Sequence, residues 1–271
     1  MLAVSHRTLA TVAIALLSSA VISNAAEPAI ALAPLPKPAR PIRIAIYEGV
    51  GSVKEGVGHV EAGVKLIPGA TIERLAAKDF ATRDLSKYDV VVFSAGAASA
   101  QAKDVGDAGR QKVRQYVEQG GAYLGICAGA YLACAEFDWG LQLINAHTIS
   151  DKWQRGEATV EMQLTPEGRE LFGPVETPLK VRYENGPVIG QLDREGMPPF
   201  RTLASYTTEI SENGSPAGIM KGSPAMAEAS FGKGRVIIFS PHPENSPGLE
   251  RMLPLAIARL AMSSKPQAIK E

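Results

Sequence analysis

Cysteine and histidine are scarce in this chain, with two and four copies in 271 residues. So few cysteines exclude a small fold stapled by disulfides. No cluster of His, Cys and carboxylates has metal-ligand spacing, so neither a metal nor a cofactor is expected. Excess charge of either sign is also missing, since 28 Lys and Arg balance 28 Asp and Glu. Without a basic face the chain is not expected to bind nucleic acid. Beyond its first residues it has no apolar run long enough to cross a bilayer. Neither a G-x-G-x-x-G nor a P-loop signature occurs.

What is present begins with an address. His6 and Arg7 precede an apolar run, Leu9 to Ile22, followed by small residues suited to cleavage at Ser23-Asn24-Ala25 or Asn24-Ala25-Ala26. Residues 1–26 are therefore read as a secretory signal peptide. The mature protein is expected to be periplasmic or otherwise extracytoplasmic, with no transmembrane segment. Residues 27–41 (EPAIALAPLPKPARP) carry five prolines, which disallow a helix or central strand and predict an extended tether. A folded domain is expected over 42–262 and a tail over 263–271.

Within 42–262 the pattern alternates strand and helix. Apolar runs at 43–47, 71–75, 89–93 and 122–126 predict buried strands. Helices are predicted at 59–67 and 110–118, the second with Val113, Tyr116 and Val117 on one face. This order implies an α/β fold, a mostly parallel sheet covered on both faces. After about residue 138 the pattern becomes alternating, at 159–164, 179–183 and 203–210, which predicts added antiparallel strands. Met226–Phe231 and Arg235–Phe239 flank Gly232-Lys233-Gly234 as a hairpin. A last helix is predicted over 247–261.

The segment Gly125-Ile-Cys127-Ala-Gly129 carries the chemistry. A strand running into G-x-C-x-G and then a helix builds a sharp elbow that lifts the cysteine to the sheet edge. A helix N-terminus there favours thiolate. The Ala128 N–H would face a developing oxyanion, with a second donor from Gly96 or Ala97. Cys134, seven residues on, lies about 10.5 Å away along a shared helix axis, too far to pair with Cys127. A thiol nucleophile needs a base and the base an orienting group. His242, in Ser240-Pro-His-Pro-Glu244 past the strand RVIIF, is the best placed, with Glu244 to fix its tautomer. His59, after the Gly-rich loop, could face the site but is read first as a helix-start residue, and His147 as a surface or core residue of a strand.

GICAG with a downstream HPE resembles the class I glutamine amidotransferase-like superfamily. Together with IAIYEGVG (44–51), KYDVVVFSAGA (87–97), VRQYVEQGGAYLGICAGAYLA (113–133) and YENGP (183–187), it most resembles the biotin-protein ligase N-terminal domain family. The resemblance spans about 42 to 262 and implies a flavodoxin-like sheet with a Cys127-His242-Glu244 site. Two positions depart from the pattern. Tyr131 stands where glutaminases of the superfamily carry Gln, and Ser94-Ala95-Gly96 where P-G-G is usual. Biotin ligation itself needs a separate nucleotide-binding domain, so this chain alone is not expected to perform it.

Tyr183, Glu184 and Asn185 of YENGP are either turn chemistry or cleft-lining residues. Gly49 and Gly51 are expected to bring the first loop close to the same cleft. Three readings of function follow. The first is an exported cysteine hydrolase acting on an amide or acyl bond of a small-molecule or peptide-like substrate. The second is a non-catalytic binding or scaffolding module that keeps the elbow. The third is a glutaminase, which export and Tyr131 oppose. No feature of the chain points to an oligomeric state.

Overall fold

The computed structural model describes residues 30–263, so the expected signal peptide and most of the expected tail lie outside the described residues. A nine-stranded sheet runs through the molecule in the order β2-β1-β3-β4-β11-β10-β9-β6-β7. Its parallel half consists of β1 (Ile42–Tyr47), β2 (Ala70–Leu75), β3 (Val90–Phe93), β4 (Ala122–Ile126) and β11 (Gly234–Phe239). Its antiparallel half consists of β6 (Glu157–Leu164), β7 (Leu179–Glu184), β9 (Arg201–Tyr206) and β10 (Pro224–Phe231). A separate ribbon pairs β5 (Ala146–Thr148) with β8 (Ile189–Gln191). The expected mostly parallel sheet with an antiparallel addition is therefore present.

The strand sequences explain their places. β3 is VVVF, buried throughout, as a strand covered on both faces requires. Side chains alternate between two cores. Ile44 and Ile46 join one, Ala45 and Tyr47 the other. The first core is closed by α1 (Lys54–Lys65), α5 (Pro166–Phe172) and α6 (Met252–Ser263). The second is closed by α2 (Ala77–Thr82) and α3 (Ala98–Glu118). β6 and β7 bury every second residue or nearly so, consistent with one covered face. No helix of the described residues is long and apolar enough to cross a membrane.

Four expectations need correction. α1 starts at Lys54 rather than His59, because Gly56 and Gly58 read as poor helix formers while tertiary packing overrides propensity. Gly56 lies close enough to Ala95 that a Cβ would come within 3.2 Å of the alanine's Cβ. α3 starts at Ala98, well before Arg110, and passes through a break at Gly106 (φ 70°, ψ 171°). α6 starts at Met252 rather than Pro247, since Gly248 adopts φ 80° and keeps the preceding residues out of helix.

The fourth concerns the tether. Residues 30–41 are extended as read but lie against the domain. Leu32 is buried in the first core, and the Ala33 N–H donates to the Phe172 carbonyl at 2.7 Å. Arg251 donates to the Ala33 carbonyl at 2.8 Å, and Arg40 pairs with Asp89 at 2.6 Å. Proline content sets the extended backbone, but Ile30, Leu32 and Leu35 give that backbone a surface to bury.

Candidate active site

Parallel pairing brings the site together. β4 and β11 are neighbours, with Ile126 opposite Phe239, so the two chains leave the sheet side by side. Cys127 follows the first strand, and its N–H donates to the Phe239 carbonyl at 2.8 Å. Ser240-Pro-His242 follows the second.

The elbow at Cys127 is strained. Its backbone sits at φ 51°, ψ −100°, a region non-glycine residues rarely adopt. Two glycines permit it. A Cβ on Gly125 would come within 2.4 Å of the Gly129 carbonyl oxygen, and one on Gly129 within 2.0 Å of the Phe93 carbonyl oxygen. The helix that follows, α4 (Ala128–Ala133), is therefore laid directly on β3 and β4. It has six residues, too few for a substantial macrodipole. What it offers is the first helical amide, Ala128 N–H, which has no intrahelical acceptor.

His242 and Glu244 are both buried, and imidazole Nδ1 and Glu244 Oε1 are 2.8 Å apart. The contact fixes Nδ1 as donor, which leaves Nε2 to face the sulfur. Nε2 has no aligned hydrogen-bond partner among the described residues. The Cys127 thiol points instead to the Glu184 carbonyl, 3.4 Å away. The sulfur is nevertheless near enough to act on the ring. Burial opposes charging His242 most strongly, but the neighbouring Cys127 sulfur and the hydrogen-bonded Glu244 carboxylate outweigh it. The imidazole pKa rises from 6.5 to about 10.

Backbone clamps hold the histidine loop. The His242 N–H donates to the Arg182 carbonyl at 2.8 Å, an isolated bridge to β7. Ser246 Oγ donates to the His242 carbonyl at 2.6 Å and accepts from the Arg182 N–H at 2.9 Å. β7 is the far edge strand of the sheet, so the antiparallel half rolls back to reach this loop.

The catalytic candidates open into a cleft of about 1270 Å³. Of the expected lining residues, Gly51, Gly96, Ala97, Tyr131, Glu184 and Asn185 face it. Gly49 does not line it. A Cβ there would meet Asp104 Oδ2 and Tyr47 Oη at 2.6 Å, so this glycine serves the packing of its own turn. Tyr183 does not line it either, because alternation along β7 turns it into the core against Tyr206. Ala97 lines the cleft, but its N–H donates to the Gly51 carbonyl at 2.8 Å and is not available to an oxyanion. The Gly96 N–H has no acceptor among the described residues and remains the donor from that loop. Tyr131 donates to the Asn185 carbonyl at 3.1 Å, and burial keeps its phenol protonated.

His59 is not a helix-start residue but sits mid-helix on α1 and faces the cleft, the second of its two readings. Several further lining residues of the cleft escaped the sequence reading. Arg182, Glu136 and Asp151 line it as well, and so do both tryptophans of the chain, Trp139 and Trp153. Phe137 and Trp139 stack at 4.5 Å. The available signal was that both tryptophans fall in the stretch following the elbow.

The fold of this sheet and its flanking helices is similar to that of solved glutamine amidotransferase structures. Residues 42–152 match the family described as biotin-protein ligase, N terminal, a span that holds Cys127 and ends before His242. Among solved structures, the chain is similar to PurLQS from Thermotoga maritima, with 11% identity and TM-score 0.57 over 82% of this chain and 97% of that one. It is similar to a glutamine amidotransferase with 20% identity and TM-score 0.52 over 80% and 98%. A cytoplasmic protein of Salmonella typhimurium LT2 aligns with 16% identity and TM-score 0.51 over 83% and 100%. At these identities the likeness shows the fold alone. A stretch of 31 residues is 58% identical to an uncharacterized protein of Chlamydia muridarum (strain MoPn / Nigg). That stretch is 11% of this chain, and the chain spans 12% of the length of that curated relative.

Proposed function

We propose that this chain is an exported cysteine hydrolase that cleaves an amide or related acyl bond. Cys127 is the nucleophile, His242 moves the proton, Glu244 orients the imidazole, and the N–H groups of Ala128 and Gly96 receive the oxyanion. With His242 favouring its charged form, the thiol proton already rests on Nε2, and in the first half-reaction the sulfur bonds to the carbonyl carbon. The C–N bond then breaks as the imidazolium returns the proton to the leaving amine. In the second half, Nε2 takes a proton from water, hydroxide oxygen bonds to the thioester carbon, and the C–S bond breaks to restore the thiolate.

The observation that carries this reading is the buried His242 with Nδ1 held by Glu244 at 2.8 Å and Nε2 left without an aligned partner beside Cys127. A structural histidine this buried would be expected to satisfy both ring nitrogens. Export rests on the first 26 residues and is part of the same proposal. The test is covalent labelling of the purified full chain with an electrophilic amide, read by intact mass. One adduct at Cys127 is expected. It should be absent in Cys127→Ala and slowed at least about a hundredfold in His242→Ala. Equal rates in wild type and His242→Ala would remove the base and with it the proposal.

One observation favours the second reading, a binding module that does no chemistry. The thiol is engaged by the Glu184 carbonyl rather than by the ring. That reading expects Cys127→Ser to leave ligand affinity and cellular phenotype unchanged.

A further inference from the structure

We propose that the cleft selects amides carrying a positively charged amine beside the scissile bond, as in peptides with a free amino group or basic side chain, over free amino acids such as glutamine. The inference rests on the hydrolase reading of Cys127.

Three features of the lining support it. The first is charge. Glu55, Glu136, Asp151, Glu184 and Glu244 line the cleft, and Arg182 is the sole Lys or Arg among its lining residues. That guanidinium is already engaged, donating to Glu157 at 2.7 Å and to Glu184 at 2.6 Å. Glu244 is committed to His242, and Glu136 accepts from Thr148 at 2.8 and 2.7 Å. His59 and His242 are the remaining lining groups able to carry positive charge, and the charge of His242 is met by Glu244. An incoming α-carboxylate therefore meets an acidic wall with no unengaged arginine or lysine to receive it. Glu55 and Asp151, both exposed, form no ion pair among the described residues and are available to an incoming ammonium.

The second feature is apolar exposure. Six large hydrophobic side chains of the described residues are exposed, and three of them, Val53, Ile149 and Trp153, line this cleft. Apolar side chains gathered at a mouth rimmed by carboxylates mark a surface that a ligand covers. The exposed indole of Trp153 adjoins Asp151 in sequence, a pairing suited to an ammonium by cation–π and ionic attraction together. The third is the buried, unpartnered Nε2 of His242 in the same cavity, which marks where the reacting bond belongs. The volume agrees. About 1270 Å³ exceeds what a single amino acid fills and suits a peptide-sized ligand.

The test uses the full chain and three chloroacetamides of similar size. N-(2-aminoethyl)chloroacetamide is cationic, N-propylchloroacetamide neutral and N-chloroacetyl-β-alanine anionic. In each, sulfur displaces chloride to form a thioether and the thiol proton leaves with it as HCl. The adduct rate at Cys127 is read by intact mass and divided by the rate of the same probe on the urea-unfolded chain. The cationic probe is expected to lead the neutral one by about tenfold, with the anionic probe slowest. The cationic-to-neutral ratio should fall several-fold in Glu55→Gln/Asp151→Asn and in Trp153→Ala. Labelling of Cys127 with equal rates, or with the anionic probe fastest, overturns the charge selection and leaves the nucleophile standing. So does a ratio that the variants do not change. No adduct with any probe overturns the hydrolase reading, and this inference falls with it.

Discussion

The thiol of Cys127 lies 3.4 Å from the main-chain carbonyl of Glu184, a residue from the antiparallel half of the sheet. The proposed nucleophile is thus positioned by a segment 57 residues away as well as by its own elbow. That segment, 183–186, also bonds to Tyr131 through Asn185 and approaches the histidine loop through Gly186.

Gly186→Ala tests that approach. A Cβ at 186 would come within 2.1 Å of the Ser240 carbonyl oxygen, which lies two residues before His242. The variant is expected to lose about 1–3 kcal/mol of stability by urea unfolding. Its Cys127 labelling rate should fall at the same time. An unchanged urea midpoint would show that the two segments are not in contact.

Ser246→Ala tests the clamp on the histidine loop. The hydroxyl is buried, donates to the His242 carbonyl and accepts from the Arg182 N–H. Its loss leaves two main-chain groups without that partner, a cost of about 1–3 kcal/mol. Labelling should slow while remaining confined to Cys127.

His242 should make stability depend on pH in a defined direction. Its folded pKa is raised from 6.5 to about 10. A group raised on folding stabilises fully below its unfolded pKa and loses that contribution as pH climbs through the folded one. The stability gap between wild type and His242→Gln should therefore be widest at and below about pH 6.5 and shrink toward pH 10. Urea midpoints of both proteins across that range give the answer, and a gap that widens with pH would reverse the sign.

Cys134 should be inert where Cys127 reacts. It is fully buried, burial raises its thiol pKa, and its sulfur contacts the Ala130 carbonyl at 3.4 Å. Alkylation of the native chain should give one adduct, at Cys127, and a second only after unfolding. Both cysteines are unpaired in the structure, so mild oxidation should not join them within one chain. A native double adduct would contradict the burial of Cys134.

Gly96→Ala is expected to be the most damaging single change in the oxyanion loop. Gly96 sits at φ 141°, and a Cβ would come within 1.8 Å of the Gly51 carbonyl oxygen. Backbone strain and steric overlap combine there. Circular dichroism and urea unfolding should show a large loss of stability, and a near-native midpoint would show that this loop can shift.

The sequence by itself determined the strands of the parallel half, the hairpin at 232–234, and the elbow. Each is written in local chemistry. The β-branched run VVVF between turn residues favours a doubly covered strand, and the small residues around Cys127 allow the sharp strand-to-helix turn. It also singled out His242 and Glu244, since parallel strands end on one edge. The start of α1 was not legible, because Gly56 and Gly58 argue locally against the helix that packing imposes.

Only the tertiary structure decided which of the cleft residues meet. Gly49 and Glu184 look alike as turn neighbours, yet one supports its own turn and the other faces the sulfur. Tyr183 and Glu184 are adjacent, and the strand's period of two sends one to the core and one to the cleft. Trp139, Trp153 and His59 reach the site from separate elements. Their convergence depends on how the sheet rolls and which loops it carries to one edge. That is set by long-range pairing such as Arg182 with His242, which no local pattern encodes.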